Sequence, residues 1–107
     1  MTEAEKAQVM NIADLAAYQD NAVVSSQVLR AENGNVTLFA FDEGQEFSEH
    51  STPFDALVQV LDGEAEIIIS GKSFQVAAGQ SIILPADEPH AVVATQKFKM
   101  LLTMIRA

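Results

Sequence analysis

Apolar and polar positions change their rhythm near residue 20. Before that point, Ile12, Leu15 and Tyr18 recur at helical spacing. Asn11 stands where it would cap a short turn through Ile12-Ala13-Asp14-Leu15. Thr2 to Asp20 is rich in Ala, Glu and Gln, and residues 1–9 predict a partly ordered or helical lead-in. From Ala22 onward the period is two. Val23, Val24, Val28 and Leu29 predict a first strand, and the turn signal Asn33-Gly34-Asn35 separates it from Val36–Phe41. Asp42-Glu43-Gly44-Gln45 breaks that second strand. The segment Glu46 to Pro53 is polar and reads as irregular.

The second half is denser in strands. Leu57–Leu61 and Glu64–Ile69 flank Asp62-Gly63, a pair that predicts a hairpin because both residues tolerate positive φ. A second tight turn at Ser70-Gly71 leads into Ser73–Val76. Ala78-Gly79-Gln80 breaks the chain again before Ser81–Leu84. Pro85 ends that strand, Pro89 precedes another from His90 to Thr95, and the last runs from Phe98 to Ile105. Turn signals every eight to twelve residues predict an all-β sandwich or barrel of eight or nine strands. No helix-length amphipathic stretch separates the strands, so βαβ architecture is excluded. The expected division is an N-terminal arm over 1–20 and a β-barrel domain over 21–107.

Composition narrows the function classes. The chain has 107 residues and 49% hydrophobic content, enough for one domain with a modest core. Its net charge is −9, from 15 acidic and 6 basic side chains. Such a surface repels phosphate backbones and anionic membranes, so no nucleic-acid or membrane partner is expected. There is no cysteine, which removes disulfides, thiolate catalysis and Cys-based metal sites. The first twenty residues carry charges and no long apolar run, so neither a secretory signal nor a membrane span is expected and the cytoplasm is the default location.

Two blocks of the sequence resemble the two motifs of the cupin family. In the first, five residues separate Gly44 from His50, and Gly63 closes the block at the family distance. In the second, five residues separate Gly79 from Pro85, and His90 follows. The resemblance implies a double-stranded β-helix, the jelly-roll cupin barrel, over nearly the whole chain after residue 20. It also implies a pocket marked by His50 and His90, the only histidines of the chain. In metal-binding cupins two histidines and a glutamate of the first motif and the histidine of the second hold a divalent metal. Here Thr52 stands at the second histidine position and Ala56 at the glutamate position, while Asp87 and Ala94 replace a glycine and an asparagine of the second motif.

His50 and His90 are therefore the candidate metal ligands, with Glu46, Glu49, Asp55 or the Thr52 hydroxyl as a third. A catalytic first-row metal usually takes three or four protein ligands. Glu46 and Thr52 have the alternation parity of His50, whereas Asp55 has the parity of the wrong face. Nickel, zinc, iron and manganese are the candidate metals. Alternation further predicts that Ala56, Val58, Val92, Ala94, Phe39, Met100 and Leu102 line the barrel, with the small residues leaving room for a small-molecule ligand. Three functions stand open: a metal-dependent enzyme of dioxygenase or isomerase type, a metal-free ligand-binding or sensing module, and an enzyme using a histidine as acid or base. The resemblance also implies a homodimer, with the strand around Gln59 and the N-terminal arm as candidate contact surfaces.

Overall fold

The computed structural model describes residues 3–106. The first two residues of the expected lead-in, and Ala107 at the end of the expected barrel span, lie outside them. Among the described residues, eight strands follow a one-turn 3-10 helix at Ile12–Leu15. They are β1 (Val23–Ala31), β2 (Gly34–Phe41), β3 (Glu46–His50), β4 (Asp55–Ile69), β5 (Lys72–Ala77), β6 (Ser81–Leu84), β7 (His90–Val93) and β8 (Phe98–Ile105). All pairings are antiparallel. One sheet has the order β1-β2-β8-β4-β6, and the other has β5-β4-β7-β3.

β4 belongs to both sheets, and this corrects the hairpin expected at Asp62-Gly63. The 15-residue strand runs straight through that pair. Its first part is bonded to β6 and β8, and its second part to β5 and β7. The register slips between Val60 and Asp62, so the inward set changes from Ala56, Val58 and Val60 to Ala65, Ile67 and Ile69. Gly63 is required for a different reason than a turn. It has φ +72°, and a Cβ there would run into the carbonyl oxygen of Lys97. The hairpin pair is instead Ser70-Gly71, with φ of 49° and 82°, which joins β4 to β5 at the register Ile69↔Lys72.

Two smaller expectations also change. Glu46–His50 is strand β3 rather than irregular chain, bonded along β7. The first turn falls at Glu32-Asn33, and Gly34 already pairs as the start of β2. There Gly34 lies so close to the Met104 carbonyl that a Cβ would not fit.

The core lies between the sheets. Phe41, Phe98, Ile67, Met100, Val58 and Val60 are essentially inaccessible, each contributing about 1.5–3 kcal/mol by burial. Phe41 and Phe98 stack with centroids 4.6 Å apart and planes within 12°. A second cluster covers part of the outer face of the first sheet. Ile12, Leu15, Ala16 and Tyr18 of the arm pack there on Leu38, Ala40, Leu61 and Leu101. Lys99 Nζ donates to the Ala13 carbonyl at 2.6 Å, and the Tyr18 hydroxyl donates to Asp62 at 2.6 Å. Burial, and then that bond, push the Tyr18 phenol well above its usual range. Asn11 takes the cap position, yet its side chain makes no cap bond; its carbonyl accepts from Asp14 N–H. Residues 3–11 contain no helix. No helix among the described residues is long and apolar enough to cross a membrane.

Candidate functional site

The two ends of the barrel differ. At one end, the Gly63 corner, the Phe41–Phe98 stack and the bond from Gly44 N–H to the Ala94 carbonyl close the space between the sheets. The other end gathers the start of β4, its far end, and the Pro85–Pro89 loop. There Asp87 N–H donates to the Thr52 carbonyl at 2.7 Å and Ser70 N–H to the Pro89 carbonyl at 2.8 Å. Asp87, which stands where the resembling motif has glycine, adopts φ +66°. Aspartate tolerates this left-handed conformation better than most residues, so the turn survives the replacement.

His50 and His90 meet at this end. They are register partners on β3 and β7, with ring centroids 4.4 Å apart and planes at 67°. An irregularity between Phe47 and His50 turns both Phe47 and His50 toward the inward partners Val92 and His90. His90 is 6% exposed, whereas His50 is exposed. His90 Nδ1 lies 3.3 Å from the Glu88 carbonyl, and His50 Nδ1 lies 2.8 Å from the Ser48 carbonyl. A carbonyl only accepts, so each Nδ1 carries the hydrogen and each neutral ring keeps its lone pair on Nε2. Burial, and then the charge of a protonated His50, hold His90 below the usual imidazole range.

The other candidate ligands have surroundings of their own. The Asp55 carboxylate accepts from Ala86 N–H at 2.9 Å and is exposed. Glu46 pairs with Val93, on the face opposite Phe47, because the β3 irregularity cancels the parity it shares with His50 in sequence. Glu49 lies in that irregular stretch and is exposed. The Thr52 hydroxyl donates to the Phe54 carbonyl at 3.2 Å. Among the described residues there is no group of three or more His, Cys, Asp or Glu side chains that could hold a metal ion. Two imidazoles without a carboxylate do not fit the three- or four-ligand resident metal that the resemblance implies.

The expected lining divides by depth. Ala56, Val58, Val92, Ala94 and Met100 are at most 4% exposed and belong to the packed core, so the small residues sit among bulky neighbours. Phe39 and Leu102 are half-buried on the same inner face. Sequence reasoning missed Phe47, which meets Phe39 edge-on at 5.3 Å and Phe41 at 4.8 Å. It also missed Ser25, Gln27 and Thr37. Ser25 is the partner of Phe39 and Gln27 of Thr37, so all share the inner face. The alternation Ser25-x-Gln27 was the available signal.

The comparisons agree with this architecture. The cupin-domain family model matches residues 37–106. A conserved protein of unknown function from Streptococcus pyogenes has a solved structure similar to this chain, at TM-score 0.92 and 34% identity, covering 100% of this chain and 96% of its own. A cupin 2 conserved barrel domain protein from Leptotrichia buccalis is 42% identical, with TM-score 0.88, over 91% of this chain and 47% of its own. A cupin superfamily protein from Desulfitobacterium hafniense, 24% identical with TM-score 0.91 over 99% and 97%, shares the fold. No curated protein matches the chain. The barrel geometry, the two motif blocks and these similarities together establish that this chain belongs to the cupin domain family.

Proposed function

We propose that this cupin binds a small organic molecule at the His50/His90 end of its barrel, through that pair and without a resident metal. The supporting observation is the hydrogen bonding of the two rings. With both Nδ1 atoms on backbone carbonyls, each ring keeps Nε2 as its acceptor, and the ring centroids are 4.4 Å apart. These two acceptors suit a ligand with two hydroxyl or N–H donors, and the half-buried Phe39, Phe47 and Leu102 suit an apolar or aromatic body. Binding rather than turnover is the function assigned.

The test is thermal stabilisation by dihydroxybenzenes, compared with their dimethyl ethers, in the native chain and in His50→Gln and His90→Gln. A ligand at a hundred times its Kd adds about 2.7 kcal/mol. Stabilisation by the diols that disappears in the ethers and in both variants supports the reading. Equal stabilisation in the variants refutes it.

A second reading has one observation in its favour. A histidine that holds a metal through Nε2 also donates Nδ1–H to a carbonyl or carboxylate, and both rings have such a partner. In that reading an exogenous divalent metal is shared between the two imidazoles and the ligand's own donors, and chelators abolish ligand stabilisation.

For assembly, we propose a second copy of this chain as the partner. Leu29, Val36, Thr103, Leu57 and Ile83 are successive register partners across the five strands of the first sheet. They form one row on its outer face, beside the area covered by the arm. Leu29 and Ile83 at its ends are 51% and 61% exposed, and Gln59 lies on the same face.

A further inference from the structure

The only two arginines of the chain, Arg30 and Arg106, line one cleft. It has a volume of 590 Å³ and lies where the β1–β2 hairpin meets the end of β8. Phe54, Met104 and Asn35 complete its wall. The volume falls within the usual range for small-molecule sites, about 300–1,000 Å³.

We propose that this cleft is a binding site for a small organic carboxylate with an apolar body. Charge is the first argument. The cleft carries Arg30 and Arg106 against Glu3 and Glu32, a balance of zero in a chain of net charge −9. The adjoining groove adds Lys6. An anion approaching this acidic protein therefore meets a locally neutral surface here, with two guanidinium donors. Donor geometry is the second argument. Guanidinium groups match carboxylates in two-point contacts. The Arg106 guanidinium lies 4.7 Å from the centre of the Phe54 ring, and its backbone N–H donates to the Asn33 carbonyl at 2.8 Å. Stacking on the ring favours one placement of the guanidinium without using its N–H donors. The backbone of the cleft also offers a donor to a carboxylate: the Glu3 side chain of the arm accepts from the Arg30 backbone N–H at 3.1 Å. Phe54 and Met104 then offer an apolar wall for the rest of the ligand.

This site is independent of the histidine pair, since neither His50 nor His90 lines it. Phe54 follows His50 by four residues, so their Cα atoms lie at most about 14 Å apart.

The test is titration with benzoate, followed by NMR of the arginine side-chain N–H signals, with benzamide as the neutral control. Saturable shifts of the Arg30 and Arg106 signals are expected with benzoate and not with benzamide. Arg30→Gln and Arg106→Gln, each checked for an unchanged backbone spectrum, should weaken binding at least about tenfold, the loss of one charge-assisted contact. His50→Gln should bind benzoate as the native chain does. Absence of saturable shifts at millimolar benzoate overturns the proposal. So does equal binding of benzamide, or unchanged affinity in both arginine variants.

Discussion

His50 and His90 face each other across the β3–β7 pair with ring centroids 4.4 Å apart, and only His90 is buried. The pair is therefore unequal. His90 gives up its proton more readily than a free imidazole, because burial and then a protonated His50 both disfavour its charge.

This inequality has a signature in stability. The unfolded chain takes up a proton at His90 near the ordinary value of about 6.5, before the folded chain does. Above that value neither state is charged and the folded state suffers no penalty. As the pH falls from about 6.5 through the lower folded value, stability is lost, and below the folded value the loss is complete and constant. Tm measured from pH 7.5 to pH 4.5 should fall more steeply in the native chain than in His90→Gln. Equal slopes would remove the buried-imidazole account.

Gly63 and Gly71 separate collision from strain. Both have positive φ, yet a Cβ at Gly71 meets nothing within 4 Å while one at Gly63 meets the β8 backbone. Gly71→Ala should cost about 1–2 kcal/mol, the cost of the left-handed backbone alone. Gly63→Ala adds overpacking of about 1–3 kcal/mol. Its Tm should therefore fall the further of the two, by about 10 °C or more. Matching Tm values in the two variants would show that the corner is not tight.

This corner also marks where sequence reading reached its limit. Asp-Gly and Ser-Gly look alike as turn pairs. What distinguishes them is long-range: only Gly63 must clear the chain at Lys97, while Ser70-Gly71 is free to take two positive φ values. The cupin barrel and the two histidines were legible because the Gly/Pro framework is local. β3 was hidden because its residues are polar and an irregularity between Phe47 and His50 destroys the alternation. The same irregularity misled the face assigned to Glu46. The arginine cleft was invisible because Arg30 and Arg106 are 76 positions apart and meet only through the β1–β2–β8 pairing.

The closed end of the barrel rests on Phe41 and Phe98. Phe41→Ala should cost about 3–5 kcal/mol in urea unfolding. A double-mutant cycle of Phe41→Leu and Phe98→Leu should give a coupling of about 0.5–1.5 kcal/mol. Strict additivity would mean that the stack contributes only its burial.

The outer row of the first sheet predicts the state of assembly. The native chain should sediment as a dimer at micromolar concentration, and Leu29→Glu with Ile83→Glu should give a folded monomer of half that mass. A monomeric native chain would rule out the second copy as partner.

In the function proposed above, His50 and His90 anchor a ligand without a resident metal, because Thr52 and Ala56 stand where the other ligands of metal-binding cupins would be. Elemental analysis of untagged protein, purified without chelators, decides it. Bound nickel, zinc, iron and manganese together should come to far below one per chain, unchanged by His50→Ala. One metal per chain that is lost in His50→Ala or His90→Ala would overturn the metal-free reading.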